Sequence, residues 1–189
     1  MYHSKPGRII ALLLLISGFQ AGLFAQELYH PLNFRNSVKK GARTVYGKPG
    51  PDYWQNSSDY TIDVKFNPET RIVSAKAVIT YENNSEDTLR KIVLRNYPDF
   101  YRKDAMRDYY ASDADEGDGL ILDSVYVNGQ LFSEKKIDRD LTLMKVFTNL
   151  APNSSVTLKI VWHYTLNAGS HVRMGKIDES SFFLAYFFP

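Results

Sequence analysis

The side chains that could do chemistry are few and scattered. There are four histidines, His3, His30, His163 and His171. No two have the H-x-x-x-H spacing that puts a pair of imidazoles on one helix face for zinc. His163 lies in VWHYTL, alternating with Trp162 and Tyr164, and reads as a strand histidine satisfied by its neighbours. His171 sits beside Arg173 and reads as solvated. The two together are the one histidine metal pair the sequence offers, and no metal ligand set is assigned. Neither histidine falls in a Ser-His-Asp spacing. GSHVRMG is not a nucleophile elbow, because its second glycine is misplaced. The acidic run SDADEGDG, 112–119, fails the calcium-loop test. Counted from Asp113, the sixth position is Asp118 rather than Gly and the twelfth is Ser124 rather than Glu. It reads as a solvated acidic loop, with a calcium site of lower coordination as the alternative. Tyr53 and Trp54 read either as an aromatic platform for sugar or peptide or as a core plug ahead of a strand. N-x-S triplets begin at Asn56, Asn83 and Asn153.

Composition narrows the classes further. The chain has no cysteine, which removes thiolate catalysis, cysteine-ligated metals and disulfides. Lys5 and Arg8 precede IIALLLLI at 9–16, and a softer stretch ends in LFA ahead of Gln26. That order reads as a secretory signal peptide over 1–25, cleaved after Ala25. An uncleaved anchor is the competing reading, but the apolar run is short for a bilayer. Export to the periplasm or the cell exterior is therefore expected, with no membrane span after cleavage. Removing Lys5 and Arg8 takes the 23 basic residues to 21, equal to the 21 acidic ones. A neutral chain makes no electrostatic case for nucleic acid or an anionic membrane surface.

The elements that must position these residues are mostly strands. LNFRNSVKKGARTVYG predicts one short helix over 33–40, stopped at Gly41. KPGPDYWQN is a Pro/Gly turn. YTIDVKF places Tyr60, Ile62, Val64 and Phe66 on one face of a half-buried strand. NPET then turns into RIVSAKAVITY, where Val73, Ala75, Ala77, Ile79 and Tyr81 alternate, so the two runs form a hairpin. LRKIVLRNY, 89–97, is a third strand, and 101–119 is polar. Asn128-Gly129 between apolar alternations marks a second hairpin. LTLMKVF and SVTLKIVWHYTL flank the turn APNSS, NAGSHVRMGKIDES is a loop, and FFLAYFF is the last strand. The fold class is all-β and antiparallel, with seven to nine strands in a sandwich or twisted double sheet.

Several stretches taken together carry a resemblance. ELYHPLNFRNSVKKGARTVYGKPGPDYWQNSSDYTIDVKFNPETR, VITYENNSEDTL and VLRNYPDFYRKDAMRD resemble the amino-terminal region of secreted aminopeptidase N zinc metallopeptidases of the Bacteroidetes type. DSVYVNG, LAPNSSVTLKIVWHYTL and the VRMG loop follow in the family's order. The resemblance implies a non-catalytic, saddle-shaped β domain over 59–189, behind a signal peptide (1–25) and an extension with a Pro/Gly turn (26–58). It implies a thermolysin-like catalytic domain as partner, if one is encoded downstream. Zinc is the family's cofactor and belongs to that later domain. H-E-x-x-H and the motif that reads the substrate's amino terminus do not occur in this sequence. No cofactor is expected in this chain, which is not expected to be an enzyme.

The aromatic run SFFLAYFFP, with four Phe, a Tyr and a Leu, is expected to continue across a joint toward such a domain. In the resembling family the final strand carries a Gln that helps hold the substrate's free amine, and here Tyr186 stands in its place. The role expected for the domain is to wall one side of an active-site cleft. The alternatives are a stand-alone secreted module that binds peptides or proteins, and a truncated gene product without function.

Overall fold

The computed structural model describes residues 29–108, 110–170 and 173–189; the signal segment expected over 1–25 lies outside them. The chain divides into two compact units between Tyr53 and Trp54. In the first, helix α1 (Leu32–Lys39) lies one residue from its expected position and buries no side chain. It stops at Gly41, whose φ of +71° only glycine adopts freely. The chain then folds back, with the Gly50 N–H donating to Ala42 O and the Asp52 N–H to Gly41 O, both at 3.1 Å.

The second unit is all-β. Its strands are β1 (Ser57–Asn67), β2 (Ile72–Asn83), β3 (Leu89–Arg95), β4 (Ile121–Val127), β5 (Gln130–Leu131), β6 (Ile137–Asp140), β7 (Leu143–Leu150), β8 (Ser154–Thr165), β9 (Met174–Lys176) and β10 (Phe182–Leu184). These ten, among the described residues, make three antiparallel sheets, ordered β1-β2-β8-β4-β5, β3-β7-β6 and β9-β10. β2 and β8 pair without a break from Ile72↔Thr165 to Asn83↔Ser154. Their alternation supplies one wall of the core: Val73, Ala75, Ala77 and Ile79 from β2, with Leu158, Ile160, Trp162 and Tyr164 from β8. Ile92 and Leu94 of β3 and Met144 and Val146 of β7 complete the same buried cluster. The period-two pattern thus sends the apolar side of each sheet inward. At Asn128-Gly129 both residues have positive φ, 50° and 79°, as a two-residue hairpin turn requires.

Four expectations are corrected. The strand expected over 89–97 ends at Arg95, because Pro98 lacks an N–H and the chain turns into a 3-10 helix at Tyr97–Tyr101. The loop expected over 167–180 contains β9. The strand expected over 182–188 stops at Leu184; Tyr186 has φ 58°, which leaves the extended region. β1 is mostly exposed rather than half-buried, with only Ile62 and Phe66 partly covered. As the edge strand of its sheet it has, among the described residues, a neighbour on one side alone.

Two polar side chains join the sheets. Asn83, fully buried at the end of β2, donates through Nδ2 to the carbonyls of Asp87 (2.9 Å), Leu150 (3.2 Å) and Ala151 (2.9 Å). Its Oδ1 accepts from the Ser85 hydroxyl at 2.6 Å. Asp99, 1% exposed, accepts from the Leu120 N–H and from Arg139 Nε, both at 2.9 Å. Replacing Arg139 by Met leaves that carboxylate buried without its main counter-charge. The expected loss in urea unfolding near neutral pH is about 3 kcal/mol. A loss below about 1 kcal/mol, the size of an exposed pair, would show that Asp99 is not held this way.

Candidate functional site

The aromatic run is fastened ring by ring. β10 pairs with β9 through Phe182↔Lys176 and Leu184↔Met174. Phe182 meets Phe66 edge-on at 5.0 Å between centroids, and Phe188 meets Tyr60 at 5.8 Å. The Trp162 indole N–H donates to Phe187 O at 3.1 Å, and the Ala185 N–H to Arg173 O at 3.2 Å. Tyr186 packs on Tyr97 at 4.5 Å, while the Arg173 guanidinium lies 6.0 Å from the Tyr186 ring centre. One aromatic ring and a cation therefore hold Tyr186 in a backbone conformation that a bulky residue rarely takes.

Beside this segment lies an open cleft of about 260 Å³. Tyr97, Phe100, Tyr101, Leu141, Met174 and Tyr186 line it. The lining is apolar, so the cleft suits an aromatic or aliphatic side chain. Asp99, on the same 3-10 turn as Tyr97, Phe100 and Tyr101, is engaged by Arg139 and the Leu120 N–H. The cleft can bind and shape; its lining offers no paired nucleophile and base.

The other candidates lie elsewhere. Tyr53 and Trp54 are 49% and 47% exposed. His163 Nδ1 is 2.9 Å from Asp123 Oδ1 on the outer face of the sheet. Asp123 is the extra residue of a bulge where the β4–β8 register shifts between Leu122 and Ser124. This contact joins residues forty apart, so sequence spacing gave no sign of it. His171 falls outside the described residues. The acidic run is not the wholly solvated loop expected. Asp115 is buried, its Oδ1 accepting from the Gly169 N–H and its Oδ2 from the Ser112 hydroxyl, both at 2.7 Å, while Glu116 pairs with Arg107. Among the described residues no group of three or more His, Cys, Asp or Glu comes together as metal ligands would. None of these helices is long and apolar enough to cross a membrane.

No family model and no curated protein matches this sequence. Among solved structures, an M1 zinc metallopeptidase from Deinococcus radiodurans is 15% identical, with a TM-score of 0.41, over 63% of this chain and 22% of its own. Legionella pneumophila aminopeptidase A is 16% identical, with a TM-score of 0.41, over 71% of this chain and 14% of its own. In both comparisons this chain spans less than a quarter of the other protein's length.

The two tryptophans differ sharply in environment, Trp162 being fully buried and Trp54 half exposed. Acrylamide is therefore expected to quench Trp54 and spare Trp162; the Trp162→Phe variant should keep only the quenchable, red-shifted emission. Equal quenching of both would contradict the burial of Trp162. Tyr164 is also buried, with no hydrogen-bond partner for its hydroxyl among the described residues. Desolvation pushes its phenol above the ordinary value of 10. The folded state holds the neutral form, while an unfolded tyrosine ionises near 10. Stability from this group is therefore complete below about pH 10 and falls as pH rises beyond it. Tyr164→Phe should raise stability near neutral pH by about 1 kcal/mol and lose less than the parent between pH 9 and 11. Parallel alkaline curves for the two proteins would contradict this placement.

Proposed function

We propose that this chain is a non-catalytic β domain of the kind found at the amino-terminal end of secreted zinc aminopeptidases. Its role there is to wall one side of an active-site cleft that a following thermolysin-like domain completes. The observation that carries the reading is the aromatic segment. Its backbone and several rings are anchored, yet Phe183, Tyr186 and Phe188 stay 37–49% exposed beside an apolar cleft. Burying a large apolar side chain stabilises by roughly 1.5–3 kcal/mol. For each half-exposed ring a sizeable part of that remains for a docked partner to realise. The sequence stretches quoted above, which resemble this family in order, support the same reading.

Tyr186 has a different task from the Gln it replaces in the resembling family. Arg173 already lies over its ring. A substrate ammonium placed there would meet a like charge, so Tyr186 acts as wall rather than amine clamp. The family's zinc finds no fitting ligand set among this chain's described residues, and hydrolysis is assigned to the following domain. The same cleft supports a second reading, a stand-alone secreted module that takes apolar side chains of peptides.

The test begins with the coding sequence beyond the Pro189 codon and continues with two purified proteins, this chain and the longer product. The longer product should carry H-E-x-x-H, bind zinc and hydrolyse aminoacyl substrates. This chain alone should do neither, and Phe183→Asp should weaken its association with the catalytic part. Stoichiometric zinc and peptidase turnover in this chain alone would sink the proposal. A stop codon after Pro189, with saturable binding of apolar peptides, would favour the second reading.

A further inference from the structure

β1 is an unusually open edge. It pairs with β2 through all eleven of its residues without a bulge, and among the described residues no strand pairs with its other side. Edges of this length are commonly guarded by proline, a bulge or a run of like charge. β1 has no proline, and its charges are of both signs: Asp59, Asp63 and Lys65. Asp63 already pairs with Lys76 on β2 at 2.7 Å. Asp59 and Lys65 have no ion-pair partner among the described residues. On the opposite face, Tyr60 and Val64 are exposed apolar side chains.

We infer that β1 pairs antiparallel with β1 of a second copy of this chain, in the register that places Ile62 on the two-fold axis. The charges select the register. Centring on Thr61 sets Asp59 against Asp63 of the other copy. Centring on Asp63 or Lys65 sets each against its own counterpart. Like charges directly opposite destabilise a pair of strands. Centring on Ile62 instead sets Asp59 against the other copy's Lys65, twice, and Tyr60 against its Val64, twice. Centring on Val64 also opposes unlike charges, but it pairs only seven residues of each strand and uses the Asp63 that Lys76 already holds. The Ile62 register pairs all eleven. It satisfies the open backbone edge, keeps the apolar residues of both copies on one face and is self-complementary, as a two-fold interface must be. It uses none of the residues lining the apolar cleft, so its test is separate from that of the proposed domain role.

The test is the mass of the purified protein by light scattering, followed by two kinds of variant. The parent should be a dimer. Lys65→Glu alone and Asp59→Lys alone each create two like-charge oppositions and should raise the dimer dissociation constant roughly tenfold or more. An equimolar mixture of the two should restore dimerisation as a heterodimer, visible by native mass spectrometry. The chain has no cysteine, which allows a direct test of register. Opposed strand residues lie within disulfide reach, so Tyr60→Cys mixed with Val64→Cys should cross-link across the pair, and neither variant alone should. A parent that stays monomeric, a dimer indifferent to both charge reversals, or self-cross-linking of Val64→Cys would each overturn the inference.

Discussion

The carboxylate of Asp99 is the point on which one side of the β domain depends. Three separate stretches meet there: the 3-10 turn after β3, the chain entering β4 through Leu120, and β6 through Arg139. A buried carboxylate without these donors is costly, so the stretches must arrive together. Gly119 shows how tightly they do. Its φ is +71°, and a Cβ there would lie 2.6 Å from Asp99 Oδ1 and 2.5 Å from Arg102 Cγ. Only glycine fits both the conformation and the space. Tyr97, Phe100 and Tyr101 sit on the same 3-10 turn, so the apolar cleft inherits its shape from this one anion.

What was legible in the sequence was what repeats. β2 and β8 alternate over twelve residues each, and a pattern of that length has one reading. Asn128-Gly129 sits in the one short turn whose positive φ values those residues favour. β6, β9 and β10 are three or four residues long. At that length alternation cannot be told from chance, and only their neighbours make them strands. The residues that join the sheets were hidden for another reason. Asp99 sits in the aromatic stretch YPDFY and Arg139 in the polar stretch IDRD, forty positions apart, and nothing local marks them as partners. Asp115 was hidden the same way, one of four acids in a run whose composition suggests solvent.

The aromatic segment was half legible. Its composition announced burial; its rings do find Tyr60, Phe66 and Tyr97, and its backbone accepts from the Trp162 indole N–H. The turn at Tyr186 was not announced, because a tyrosine at positive φ runs against local preference. Stacking between Tyr97 and Arg173 overrides that preference. Local rules therefore failed at the position where the domain presents its cleft, a pattern expected where tertiary contacts overrule the chain's own bias.

Asn83 has one further consequence. Its amide nitrogen, the atom an asparagine-modifying enzyme would have to reach, is spent on three backbone carbonyls in the interior. The Asn56 amide is committed to the Tyr81 hydroxyl at 2.9 Å, whereas Asn153 stands exposed in its turn. Three N-x-S triplets that look alike on paper thus differ in when they are available. Asn83 is a substrate only before the two sheets close, so a sugar found on it would date the modification to the nascent chain, while Asn153 keeps no such record.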